Sequence, residues 1–267
     1  MKTRHSLTLI VLCTACLSVA QSPPGPGEVV PPFAIYMVNP DIAKSLQSKN
    51  SHGEIILKAT IGRDGDVKDV TVIGGDTEVA NAAARAVKQW RYLPGMQNGS
   101  AIETTQNISI KYRLGKHISK PEKPDWMVKR HPHEDLLGAI TSGKLFRTEE
   151  KGVVPPKALN APDPQYSESA RLEKVQGSMA LGVVVSEEGV PQDVWVIRPI
   201  GYGLDEQAVQ VLKHWKFVPA NKNGEPVPVV ISVDLTYASS NGDEPEFDFE
   251  TAKDQGASLQ TKPNSPK

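Results

Sequence analysis

Apolar residues fall on every second position in two stretches of the chain. Ile55, Leu57, Ala59 and Ile61 mark the first, and Met179, Leu181, Val183 and Val185 mark the second. Period-two alternation predicts a half-buried strand in each. Both strands run into an acidic-glycine pair, Asp64-Gly65 and Glu188-Gly189, which favours a hairpin because glycine tolerates positive φ. Return strands follow with Val70 and Val72, and with Val194 and Val196. Glycines come next, Gly74-Gly75 in one stretch and Gly201 and Gly203 in the other, with one residue more in the second. The period then changes. Val79, Ala83, Val87 and Trp90 correspond to Leu204, Ala208, Leu212 and Trp215, an apolar stripe at helical spacing.

Charges suit the predicted helices. Asp76 and Thr77 stand where a cap is needed, and Asp205 and Glu206 lie in the first turn of the second helix, where its dipole favours anions. Lys213, His214 and Lys216 lie at its end, and His214 reads as a helix-end cation. Both helices stop at a proline, Pro94 and Pro219, ahead of a turn at Asn98-Gly99 and Asn223-Gly224. A last alternating strand carries Ile108, Ile110 and Tyr112, matched by Val233, Leu235 and Tyr237.

The chain is therefore a tandem repeat of an α+β unit, β-β-α-β, with a three-stranded antiparallel sheet and one helix on its face. Such a sheet leaves an edge open to pairing. The expected divisions are a signal peptide (1–20), a Pro/Gly-rich lead-in (21–50), a first domain (51–115), a linker (116–150), a second domain (151–238) and a disordered tail (239–267). A short helix is expected over 134–140. The tail holds Asp243, Glu244, Glu246, Asp248 and Glu250 and shows no periodicity.

The first residues resemble an export signal: Lys2, Arg4 and His5, then an apolar run Leu7 to Leu17, then Ser18-Val19-Ala20. That run is shorter than the ~20 residues of a spanning helix. Cleavage before Gln21 and an uncleaved anchor are the two readings of this segment. A third is lipidation at Cys16, since Cys13-Thr14-Ala15-Cys16 loosely resembles a lipobox. Cys13 and Cys16 are the two cysteines of the chain, so removal of the segment would leave a mature protein without a disulfide. A formal net charge of −1 over 267 residues gives no broad field for a nucleic acid or an anionic membrane.

The second unit resembles the C-terminal domain of TonB, the periplasmic energy transducer. The resemblance is carried by Pro164-Gln165-Tyr166, Ala170, Gly177, Glu188-Gly189, Gly203-Leu204-Asp205, Ala208, Trp215-Lys216-Phe217, Pro219-Ala220, Gly224 and Pro226. The first unit is a diverged copy that keeps Gly53, Asp64-Gly65, Trp90, Tyr92, Pro94 and Gly99, but has Val79-Ala80 in place of Leu-Asp. The resemblance implies a module that binds short segments of outer-membrane transporters or other envelope proteins by adding a strand to a sheet edge. It implies partner contacts at Gln165 and Tyr166 and along the last strand, at Ile231, Val233, Leu235 and Tyr237. It also implies a spanning helix and a long proline spacer for a complete transducer. Lys120 to Pro124 reaches only about 15 Å, so an exported accessory or adaptor is expected instead, periplasmic or outer-membrane-associated. The alternative is a scaffold whose domains pair edge to edge, within a chain or in a homodimer.

No enzyme signature is present, neither a Gly-x-Ser-x-Gly elbow nor a phosphate-binding glycine loop. No catalytic residue, cofactor or metal is expected, and an enzymatic or small-molecule role ranks last. His131-Pro132-His133-Glu134 lacks a second ligand cluster. Trp90 and Trp215 read as core residues that close the helix stripe. Tyr166 reads equally as a contact and as packing. The acidic tail reads as solvated rather than as a docking site, and Asn98-Gly99-Ser100 as a tight turn rather than a glycosylation site.

Overall fold

The structure is a computed structural model that describes residues 29–41, 52–113, 133–237, 247–251 and 259–260. The signal segment with Cys13 and Cys16, the start of the linker at Lys120–Pro124 and most of the tail lie outside these residues.

The first domain opens with two strands, β1 (Val29–Val30) and β2 (Phe33–Tyr36). The predicted hairpin follows as β3 (His52–Ile61) and β4 (Val67–Gly74), then α1 (Thr77–Val87). After the helix come β5 (Arg91–Leu93), β6 (Gly95–Gln97), β7 (Ser100–Ile102) and β8 (Thr104–Arg113). The central sheet is β4-β3-β8, antiparallel throughout, with Ile55 opposite Ile110 and Leu57 opposite both Val72 and Ile108. The alternation works as read: Ile55, Leu57, Ala59 and Ile61 are fully buried, while Glu54 and Lys58 are exposed. Asp76 caps α1 by accepting from the backbone N–H of Glu78 (3.0 Å) and Val79 (3.1 Å).

The linker is not a plain spacer. It carries α2 (His133–Thr141), one turn's fraction longer than the expected helix, and a short strand β9 (Phe146–Arg147). The second domain repeats the first: β10 (Val153–Val154), β11 (Lys157–Asn160), a short helix α3 (Glu168–Leu172), β12 (Gly177–Val185), β13 (Pro191–Arg198), α4 (Leu204–Leu212), β14 (Lys216–Val218), β15 (Ala220–Lys222), β16 (Glu225–Val227) and β17 (Val229–Tyr237). Its central sheet is β13-β12-β17. Two tail segments, β18 (Phe247–Thr251) and β19 (Leu259–Gln260), complete the chain.

The first domain takes in strands that lie ahead of its expected start at residue 51. Residues 29–41 of the lead-in are a built part of the fold, and the start of the second domain is built the same way. β1 pairs with β6 and β2 with β5; at the same places β10 pairs with β15 and β11 with β14. The signal was in the chain: Val29-Val30-Pro31-Pro32 recurs as Val153-Val154-Pro155-Pro156. The helix-end tryptophans hold this lead-in down. Trp90 Nε1 donates to the Val38 carbonyl (2.9 Å), and Trp215 Nε1 donates to the Pro162 carbonyl (3.0 Å). Both rings are buried, which bears out their reading as core residues and adds a buried indole N–H that finds its partner. The acidic-glycine turns are fixed in a parallel way. Tyr92 N donates to Gly65 O and Phe217 N to Gly189 O, each at 2.9 Å. Gly189 has φ +78°, and a Cβ there would lie 2.0 Å from the Phe217 carbonyl oxygen, so only glycine fits.

The two domains share a core. On β12 the inner residues Met179, Leu181, Val183 and Val185 pack with α4, but Ala180 and Val184 on the other face are buried too, against the first domain. Trp195 on β13 joins them. Its indole N–H donates to the Ile35 carbonyl (3.1 Å), and its ring lies over Gly182, where a Cβ would come within 2.1 Å of it. Met37 N donates to Ile197 O, and Asn39 Nδ2 to Pro199 O. Arg147, buried in the linker strand, donates to the carbonyls of Pro94 (3.1 Å) and Pro31, with Glu149 3.7 Å from its Nε. Burial pushes its pKa down against the pull of Glu149 and Glu150. The corresponding face of β3 carries Glu54, Ile56, Lys58 and Thr60, of which Ile56 is exposed.

Removing the Trp195 ring is expected to cost about 3–5 kcal/mol and to uncouple the domains. In a denaturant titration the Trp195→Ala chain should unfold in two steps at lower midpoints. An unchanged single transition would contradict the packing described.

Candidate partner-binding edge of the second domain

The sequence-derived candidates gather at one end and one edge of the second sheet. Gln165 is exposed on the segment before α3, and Tyr166 beside it is buried. The Tyr166 hydroxyl donates to the Val175 carbonyl (3.1 Å), and its ring meets Tyr237 edge-on with centroids 5.2 Å apart. Ser167 caps α3 by accepting from Ala170 N (3.0 Å), and its hydroxyl also reaches the Tyr202 carbonyl. Tyr166 is thereby packed into the domain, beside the exposed Gln165.

Ile231, Val233, Leu235 and Tyr237 alternate along β17, and all four side chains are buried in the core beneath α4. The side chains that turn away from that core are Val230, Ser232, Asp234 and Thr236. Val230 is buried against the first domain, and the other three are partly exposed. Asp234 lies 3.7 Å from Arg198 Nη2. A partner at this edge would meet the backbone of the four candidate residues and the side chains of their neighbours, which is how an added strand is held.

One side of β17 is fully paired with β12, from Gly177 opposite Tyr237 to Val185 opposite Val229. The other side holds two short parallel strands. β9 pairs at Val229 and Val230, and β19 pairs at Val233 and Asp234. A strand from the linker and one from the tail, which was read as disordered, therefore reach the very edge proposed for a partner. Parallel pairing over two residues supplies few ladder bonds.

Asp205 was the residue whose role the sequence understated. It is fully buried, and its carboxylate accepts from Ile200 N (2.9 Å) and Gly201 N (2.8 Å). It thus shapes the glycine loop ahead of α4 rather than merely serving the helix dipole. Gly203, at φ +74°, makes the turn into that helix. Burial pushes the Asp205 carboxyl up to about 6, although the two backbone donors pull it down and Glu206 adds to the rise. The buried Tyr237 hydroxyl is likewise pushed up, by burial first and then by Asp205, Tyr166 and Asp163. Burial also raises Asp163. Among the described residues no group of three or more His, Cys, Asp or Glu side chains is placed to hold a metal ion. No helix among them is long and apolar enough to cross a membrane.

The fold defines a class, a duplicated α+β module built around a short antiparallel sheet. Residues 40–114 and 162–238, together more than half of the chain, match the family described as Gram-negative bacterial TonB protein C-terminal. The chain belongs to that family, and carries two copies of its domain. Among solved structures it is similar to one titled as the solution NMR structure of the Pseudomonas aeruginosa TonB CTD. The identity is 17%, covering 35% of this chain and 92% of that one, at a TM-score of 0.27. The assignment rests on the two family regions. No curated protein matches the chain.

Asp205→Ala would leave two buried N–H groups without an acceptor and should cost about 2–4 kcal/mol in chemical denaturation. The pH dependence has a definite sign. The folded-state value of about 6 lies above the ordinary 3.8, so the folded chain binds this proton more tightly than the unfolded one. Stability from this group is complete below about pH 4 and is lost as pH rises through 6, by up to about 3 kcal/mol. Asp205→Asn should remove that slope, and an identical slope in the variant would show that another group titrates.

Proposed function

We propose that the chain is a non-enzymatic, TonB-type protein-binding module of the cell envelope. It engages extended segments of outer-membrane transporters or other envelope proteins by strand addition along the outer edge of β17. The observation that carries this reading is the condition of that edge. The core-facing side chains of Ile231, Val233, Leu235 and Tyr237 anchor the strand, while among the described residues its outer side is paired by the two-residue strands β9 and β19. A longer antiparallel strand from a partner would replace β19 with a fuller ladder. Family membership supports the choice of an envelope partner. The sequence pattern at the N-terminus supports export, periplasmic or anchored at the outer membrane through Cys16. An accessory part in energy-coupled transport belongs to the same proposal.

The scaffold alternative has its own support. The second sheet already buries its outer face on the first domain through Trp195, Val184 and Ala180. In that reading the two domains form a structural body and no client is taken.

Photocrosslinking in the envelope separates the two. The probes belong at exposed Gln165 and at the partly exposed Thr236, because a probe at buried Val233 would disturb the core. Capture of an outer-membrane transporter at both positions is the expected result. Crosslinks confined to the chain itself or to a second copy would overturn client binding at this edge and favour the scaffold.

A further inference from the structure

The tail bears on the first domain as well. β18 runs antiparallel along the outer edge of β8, with Phe247 opposite Tyr112, Asp248 opposite Lys111, Phe249 opposite Ile110, Glu250 opposite Ser109 and Thr251 opposite Ile108. It extends the central sheet to β18-β8-β3-β4. Three features set this contact apart from chance apposition. It pairs five consecutive residues, against two for either short strand on β17. The segment alternates aromatic and acidic residues, Phe247-Asp248-Phe249-Glu250, within a tail otherwise rich in acidic and small polar residues. And β8 alternates in step: Ile108, Ile110 and Tyr112 are buried and Lys111 is exposed. The register therefore places Phe249 opposite Ile110 and Asp248 opposite Lys111.

We propose that the outer edge of β8 is a second strand-binding site, closed in the free chain by its own Phe247–Thr251. Its external ligand is an extended segment of another protein that alternates aromatic and acidic residues in the same way. The tethered segment acts at high effective concentration. It protects an edge that would otherwise pair indiscriminately, and only a segment of matching pattern displaces it. The site lies on the first domain and stands whether or not clients are captured at β17.

The test uses the full chain and a fluorescent peptide of residues 245–253. Phe249→Pro in the chain breaks the tail strand, since proline cannot continue the ladder. The variant is expected to bind the peptide at least about ten-fold more tightly than the unaltered chain, the tethered competitor having been lost. Peptide binding should slow amide exchange at Ile108–Tyr112. A peptide with Asp248 and Glu250 changed to lysine should bind the variant more weakly. A second chain variant, D248K/E250K, is measured alongside, so that the outcome does not hang on one substitution. Equal affinity for the unaltered and both variant chains, no binding to either variant, or protection confined to Val229–Tyr237 would overturn the proposal.

Discussion

A three-stranded sheet with one helix across it has a face and two edges left over, and the structure is organised by how these are covered. In the first domain the spare face of β3 is mostly polar, with Glu54, Lys58 and Thr60 beside an exposed Ile56. In the second the spare face is apolar and cannot stand in water. Ala180, Gly182 and Val184 alternate with the core residues of β12, so the strand is apolar on both sides. The first domain supplies the missing layer through β2, and the Trp195 ring, seated over Gly182 and bonded to the Ile35 carbonyl, closes the seam. Duplication thus built one body in which one copy serves as the other's second layer.

The edges are handled separately from the face. Arg147 links the domains at buried carbonyls while its own strand caps the start of β17. The tail then runs along the last strand of each domain, antiparallel on β8 and parallel on β17. If the proposed strand addition holds, the fold must keep its accepting edges from pairing with the wrong chain. Covering them with weak or tethered strands of its own does so without abolishing the site.

Much of this was legible in the chain. The strict alternation of Ile55 to Ile61, the helix stripe ending at Trp90 and Trp215, and the acidic-glycine turns fixed the repeated core and its order. The family resemblance of Pro164 to Pro226 pointed to the edge. What escaped has physical reasons. The Val-Val-Pro-Pro strands are two residues long and carry no periodicity, although their recurrence at Val29 and Val153 was a repeat signal. The interdomain face was visible only as apolar residues between the core positions of β12, and nothing in one strand says which partner covers it. The tail strand was hidden because its acidic residues outweigh Phe247 and Phe249 in composition. The site was read as strand addition along the last strand, and the residues named for it turn their side chains into the core. With Ile231, Val233, Leu235 and Tyr237 buried, an added strand would meet the backbone and the intervening side chains.

The most direct test of this account is a set of residual dipolar couplings measured on backbone amides of both domains in the full chain. A shared core through Trp195 predicts that β3–β8 and β12–β17 fit a single alignment tensor with the relative orientation described. Two independent tensors would mean that the domains move separately, and the covered face at the centre of the account would be wrong.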